Sequence, residues 1–80
     1  MNINSIKQKI KDKISKAKIA VTDTSGEGDH FSIVVISDVF INMTLINRHK
    51  LVYKSLNKYV TKEIHALQIK TYTEEEFANE

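Results

Sequence analysis

Three histidines are the candidates for metal-binding chemistry in this sequence, which contains no cysteine and therefore no thiolate ligand. His30 stands at the start of one predicted strand, His49 lies inside a predicted helix, and His65 begins another predicted strand. Neutral imidazole is a common metal ligand, although a lone histidine is more often a surface or structurally hydrogen-bonded side chain. A complete metal site requires about four ligands, so any metal bound here would be shared with another molecule.

The common sequence signatures of enzymes are missing. The chain has no Gly-x-Ser-x-Gly elbow, no phosphate-binding Gly-x-x-x-x-Gly-Lys and no dinucleotide-binding Gly-x-Gly-x-x-Gly. Its two glycines, in Gly26-Glu27-Gly28, indicate a flexible turn, and its carboxylates are scattered singly or clustered near the C-terminus. The sequence therefore predicts a protein that binds rather than catalyses.

A regular row of basic residues is the second candidate for a functional surface. Lysines recur every four residues along a predicted helix, which places them on one helix face. Such a face can contact phosphates or an acidic partner, and the alternative is a solvated helix surface. The residues predicted to form this partner or nucleic-acid surface are Arg48, His49, Lys50 and Lys54, and the lysine row continues with Lys58 and Lys62.

The first half of the chain is predicted to hold a helix followed by a hairpin. An apolar stripe at intervals of three or four predicts an amphipathic helix, and its members are Ile3, Ile6, Ile10, Ile14 and Ala17. Alternating and β-branched residues predict strands at 18–23 and 31–36, joined by a flexible loop over 24–30. Loops on a rigid scaffold often carry binding residues, which makes this loop a natural place for function.

The second half is predicted to hold a turn, a helix, a strand and a short final helix. The helix is predicted over 44–60, with an apolar face of Leu45, Val52, Leu56 and Tyr59. A strand is predicted over 64–71. Thr73 followed by Glu76 is a capping-box pattern, which predicts a short last helix. The predicted order is α-β-β-α-β-α.

Composition is typical of one small folded domain. The chain has 80 residues, of which 41% are apolar and 28% charged, and a net charge of +2, far from the balance of a strongly basic nucleic-acid binder. The N-terminal segment has no long apolar run, so we expect neither a signal peptide nor a membrane span. The lack of cysteine favours a reducing compartment, and the prediction is a cytoplasmic protein.

Several motifs, in order, resemble those of the BolA family, and the resemblance covers nearly the whole chain. The short loop ending in Gly-Asp-His-Phe is most similar to the smaller bacterial members. Asn42 stands where many relatives have glycine, Glu74 where proline is frequent, and Phe77 where tryptophan is usual. The matching stretches are Val21-Thr22-Asp23, Gly28-Asp29-His30-Phe31, Val35 to Phe40, Asn47 to Tyr53, Ile64 to Thr73 and Glu75-Glu76-Phe77.

The resemblance implies a mixed α/β (α+β) fold similar to one class of KH domains, with a three-stranded sheet covered by helices, as one BolA-like domain over 1–80. It also implies a monothiol glutaredoxin as partner, with a shared 2Fe-2S cluster completed by glutathione. On that pattern His65 matches the family's C-terminal ligand histidine. The second family ligand lies in the loop between the first two strands, where His30 is the candidate.

Two functional hypotheses follow. The first is a non-catalytic adaptor in iron–sulfur cluster trafficking or iron-dependent regulation, with His65 and His30 as metal ligands and the basic helix as docking surface. The second is a nucleic-acid-binding transcriptional regulator that uses a KH-like surface and binds DNA. A typical KH module holds the nucleic-acid backbone with a Gly-x-x-Gly loop, which this sequence lacks at the expected helix junction. Alone, the protein is expected to be a monomer or a weak homodimer.

Overall fold

A computed structural model describes residues 2–60, 64 and 66–80 of the chain. The predicted order of elements is confirmed. In the described ranges, no helix combines the length and the apolar character needed to cross a membrane. The elements are α1 (Ile3–Lys13), β1 (Lys18–Asp23), β2 (His30–Ile36), a 3₁₀ helix (Asp38–Phe40), α2 (Leu45–Leu56), β3 (Ala66–Tyr72) and α3 (Glu74–Ala78).

Helix α1 is shorter than its apolar stripe. It begins after Asn2, whose side-chain oxygen accepts a hydrogen bond from the backbone N–H of Ser5 at 2.8 Å, and it ends at Lys13. Ile14 and Ala17 lie beyond the helix but remain buried in the core. The spacing of three or four therefore predicted the buried residues correctly and the end of the helix incorrectly.

The sheet has the order β1-β2-β3, with β2 in the middle. Strands β1 and β2 form the predicted antiparallel hairpin, with Lys18 opposite Ile36. Strand β3 runs parallel to β2, with His30 opposite Ala66. Parallel neighbours require a crossover connection, and α2 lies in the segment that makes it.

The core lies between one face of the sheet and the two long helices. Alternate residues of β2 are buried, namely Phe31, Ile33 and Val35, and they share a core with residues of α1 and α2. The intervening residues, which begin with His30, point to the other face and stay partly exposed. The two long helices therefore cover one face of the sheet, and His30 lies on the opposite face.

The second helix differs from the prediction in length and in its buried face. Thr44 caps its N-terminus, with the Oγ1 atom accepting from the N–H of Asn47 at 3.1 Å, and the helix ends at Leu56 rather than at residue 60. Leu45 was predicted to face the core, but it is 65% exposed. The inward position one turn before Val52 belongs to Arg48, because Arg48, Val52 and Leu56 follow one another at intervals of four.

The third strand begins later than predicted. Ile64 is fully buried but forms an isolated bridge with Val60, and the strand itself starts at Ala66. Asn42 adopts a left-handed backbone conformation with φ of 64°, which asparagine tolerates better than most residues do. The chain can therefore turn into α2 at this position without glycine.

Candidate functional site

His30 is the first residue of β2, and its side chain is 45% exposed. Its register partner in β3 is Ala66, the residue that directly follows His65 in the sequence. The backbone N–H of Ala66 donates a hydrogen bond to the carbonyl oxygen of Asp29 at 3.2 Å. His65 lies outside the described residues, so its predicted role as a ligand stays a prediction.

The loop before His30 is organised by a carboxylate, whereas the sequence predicted a flexible turn. Asp23 Oδ1 accepts from the N–H of Gly26 at 2.8 Å and from the N–H of Ser25 at 3.2 Å, and Asp23 Oδ2 accepts from the N–H of Gly28 at 2.8 Å. Both glycines have φ of 77°, a conformation that L side chains rarely adopt. Partial desolvation raises the pKa of Asp23, but the hydrogen bonds from Gly26, Gly28 and Ser25 outweigh it and lower the pKa overall.

A chain of polar contacts connects this loop to His30. Ser25 Oγ donates to Asp29 Oδ1 at 2.8 Å, and Asp29 Oδ2 lies 4.0 Å from His30 Nε2. The N–H of Thr24 donates to the carbonyl oxygen of His30 at 2.8 Å, which closes the loop. The folded loop therefore holds the backbone of His30 and brings the Asp29 carboxylate near its imidazole.

The donor set fits a shared metal group rather than an enclosed one. Within the part of the chain that the structure describes, no three side chains of histidine, aspartate or glutamate gather into a metal site. His30 offers one partly exposed imidazole at the surface. A metal held here would need further ligands from His65 or from another molecule.

Substitution of Asp23 by alanine is expected to loosen the loop without unfolding the sheet. It removes the acceptor for three backbone N–H groups, so the amides of Ser25, Gly26 and Gly28 should exchange with solvent at least about tenfold faster. Amide hydrogen exchange followed by NMR measures this directly. Glu27→Ala, in the same loop, should leave these rates unchanged, and equal rates in the two variants would contradict the role given to Asp23.

Arg48, predicted to form part of the binding surface, is turned into the protein instead. Its residue is only 7% exposed, and its guanidinium donates to Glu76 Oε1 at 2.6 Å and to Oε2 at 3.3 Å. Arg48 Nε also donates to the carbonyl oxygen of Met43 at 3.1 Å, and the guanidinium carbon lies 5.8 Å from the centre of the Phe40 ring. These contacts attach α3 to α2.

Glu76 also belongs to the capping box that the sequence predicted. Its side chain accepts from the N–H of Thr73 at 2.7 Å, while Thr73 Oγ1 accepts from the N–H of Glu76 at 3.1 Å. The hydrogen bond from Arg48 and then that from Thr73 hold the pKa of Glu76 below its ordinary value. One carboxylate therefore starts α3 and connects it to α2.

The rest of the basic surface is exposed, as the helix pattern indicated. His49, Lys50 and Lys54 are exposed along α2, whereas Lys58 follows the end of the helix and Lys62 lies outside the described residues. His49, Lys50 and Lys54 border an open groove of about 1080 Å³ between α2 and β3. The sequence analysis missed the groove because it forms between elements that are distant along the chain. The available signal was Ile46, an apolar residue outside the predicted apolar face of the helix.

Comparison with known proteins gives a consistent result. The model of the BolA-like protein family matches residues 2–76. An uncharacterized protein of Buchnera aphidicola subsp. Baizongia pistaciae is 39% identical over 77 residues, which cover 95% of this chain and 94% of the relative. The DNA-binding transcriptional regulator BolA of Escherichia coli strain K12 is 36% identical over 53 residues, which cover 66% of this chain and 50% of that protein.

The fold is also found in solved structures. The structure of a bolA protein homologue from Coxiella burnetii has a TM-score of 0.81 with this chain at 34% sequence identity. The match covers 98% of this chain and 97% of the homologue. The order of elements predicted from the sequence is thus that of a known fold.

Proposed function

The chain belongs to the BolA-like protein family, and from this premise we propose that it is a non-catalytic adaptor that pairs with a monothiol glutaredoxin. In this proposal the two proteins share a 2Fe-2S cluster, completed by glutathione, in iron–sulfur trafficking or iron-dependent regulation. His65 and His30 contribute imidazole ligands from this chain. When bound, the cluster supplies iron centres that accept nitrogen ligands.

The single observation that carries the proposal is the pairing at the start of β3. His30 is the register partner of Ala66, and Ala66 follows His65 in the sequence. The residue that directly follows His65 in the sequence thus pairs with His30, the other histidine that the family resemblance indicates, although the two histidines are far apart along the chain. The partly exposed His30 imidazole supports sharing with a partner, because it is accessible at the surface to ligands from another molecule.

The surrounding residues have supporting roles in this proposal. The Asp23 carboxylate holds the loop, and the Asp29 carboxylate lies beside the imidazole of His30. A carboxylate next to a ligand imidazole helps to orient it. The exposed basic residues of α2 support docking, because they attract an acidic partner surface.

The test is a titration of the protein into a monothiol glutaredoxin loaded with its cluster and glutathione, followed by visible absorption and circular dichroism. The wild-type protein should form a complex and change both spectra. His65→Ala should abolish the spectral change, and His30→Ala should reduce it. His49→Ala, the third histidine, should leave the spectrum of the saturated complex unchanged, because His49 is assigned to docking and not to ligation.

Unchanged spectra with no complex would overturn the adaptor proposal. If the complex forms but its spectrum is the same with His65→Ala, glutaredoxin is still the partner, but His65 is not a ligand of the cluster. A parallel titration with cluster-free glutaredoxin separates protein docking from cluster ligation, since docking alone should not change the visible spectrum.

DNA binding is the second candidate function. It is supported by the exposed Lys50, Lys54 and Lys58 and by the name of the Escherichia coli relative. The inward position of Arg48 removes the strongest phosphate-binding side chain from this surface. We therefore favour the adaptor.

A further inference from the structure

Strand β3 forms one edge of the three-stranded sheet. Among the described strands it pairs with β2 alone, so every second backbone N–H and C=O group points away from the sheet. Such an edge is a template for an additional strand from another chain. The unpaired side of β3 lies next to α2.

The groove between α2 and β3 runs along this edge. Its floor is apolar: Leu67 and Ile69 contribute from β3, Leu51 and Ile46 from α2, and Met43 from the preceding turn. Ile46, the second residue of α2, is 68% exposed and continues this apolar lining at the surface. The groove therefore offers both apolar contact area and adjacent backbone hydrogen-bonding groups.

The rim of the groove is positively charged. His49, Lys50 and Lys54 line it from α2, and none of the described residues that line it is acidic. Lys70 is exposed on β3 itself. Lysines on an edge strand repel other basic segments and attract carboxylates.

We propose that the groove binds an extended acidic peptide segment of a partner protein, which adds as a fourth strand to the edge of β3. Apolar side chains at every second position of the peptide fill the groove above Ile46 and Ile69. Carboxylates at the intervening positions lie on the same face of the sheet as Lys70, and the positive charges of Lys50 and Lys54 on the rim attract the acidic segment as a whole. At about 3.3 Å per residue, a segment of about seven residues spans the length of β3. This inference does not depend on the cluster or on glutaredoxin.

A second copy of the chain does not supply such a segment. The acid-rich stretch of this protein is α3 with its flanks, where Glu76 is bonded to Arg48 and Glu74 Oε1 lies 3.2 Å from Lys18 Nζ. That stretch is helical and already held within its own chain. Nucleic acid is also less suited to the groove, because single-stranded nucleic acid binds by stacking successive bases on aromatic rings, and the described lining residues offer only Tyr53 and His49 for this.

The experiment uses a fluorescein-labelled synthetic heptapeptide in which glutamate and valine alternate, and fluorescence anisotropy reports its binding to the full chain. The acidic peptide should bind, and a lysine–valine peptide of the same length should not. An acidic peptide with N-methyl groups on alternate backbone nitrogens should also fail, because it cannot pair with a strand edge. Binding should slow amide exchange along β3.

Matched variants locate the site. Lys50→Glu combined with Lys54→Glu should weaken binding by about tenfold or more, since two attractions become repulsions. Ile46→Asp should weaken it similarly, whereas Lys11→Glu on α1 should not. All four positions are exposed, so the variants should fold, and circular dichroism checks this.

Three results would overturn the proposal. The first is no binding of the acidic peptide, and the second is equal binding of the N-methylated peptide. The third is displacement of the acidic peptide from the groove by a single-stranded DNA dodecamer at much lower concentrations than an unlabelled acidic peptide requires. That last result would assign the groove to nucleic acid.

Discussion

Replacement of Arg48 by alanine is expected to lower the free energy of unfolding by about 2–4 kcal/mol. The guanidinium is buried and donates to the carboxylate of Glu76 and to the carbonyl of Met43. Alanine removes these charge-assisted hydrogen bonds and leaves a cavity beside Phe40. Urea unfolding followed by circular dichroism measures the loss. His49→Ala, at the next and exposed position, should change the value by less than about 0.5 kcal/mol.

The stability that the Arg48–Glu76 pair contributes should depend on pH in the acidic range. The pKa of folded Glu76 lies below the ordinary value of 4.5, so its contribution is fully present above pH 4.5 and is lost as pH falls through the lower folded pKa. The difference in stability between wild type and Arg48→Ala should therefore shrink as the pH falls below about 4.5. A difference that stays constant over this range would contradict the assignment of the effect to the Arg48–Glu76 pair.

Replacement of Phe40 by alanine should lower the free energy of unfolding by about 3–5 kcal/mol, the range measured for large buried aromatic residues. Phe40 is fully buried and belongs to the 3₁₀ helix that connects β2 to the turn before α2. A domain of this size typically has a net stability of about 3–5 kcal/mol. The variant should therefore be largely unfolded at room temperature, as near-ultraviolet circular dichroism and one-dimensional NMR would show.

Two variants make the Phe40 result specific. Val39→Ala changes the neighbouring residue, which is about half exposed, and should remain folded with nearly wild-type stability. Phe40→Leu retains most of the buried volume, and its stability should lie between that of Phe40→Ala and that of Val39→Ala. If Phe40→Ala melted at the temperature of Val39→Ala, the 3₁₀ segment would not contribute to the core as described.

The sequence predicted those parts of the fold that depend on local spacing. The stripe from Ile3 to Ala17, the hairpin and the capping box at Thr73 each follow from residues close together in the chain. The hairpin and the capping box are confirmed, and the stripe residues pack in or against the core, although α1 ends before Ile14. The errors have a different cause. Leu45 was assigned to the core because it is apolar, but Arg48 has the inward position and a partner 28 residues away in α3. Local spacing carries no information about that partner.

The candidate site was predictable only in part for the same reason. The motif around His30 and the exposed lysines of α2 could be found in the sequence. Asp23 followed by Ser25 and Gly26 is typical of a local turn closed by the aspartate side chain, but the hydrogen bond from Gly28, five residues on, depends on the path of the whole loop. The groove beside β3 depends on how far α2 stands from the edge of the sheet, and this distance is a property of tertiary packing.

The parallel pairing of β2 and β3 also determines how the chain assembles. The hairpin partner of β2 is near in sequence, whereas β3 can pair only after residues 37–65 have crossed the sheet. Closing the longer loop costs more entropy, so the hairpin should form first during folding. Until β3 arrives, one backbone edge of the central strand is open to pairing with other nascent chains. The last strand to assemble is thus the one that protects the most β-branched segment of the protein from aggregation.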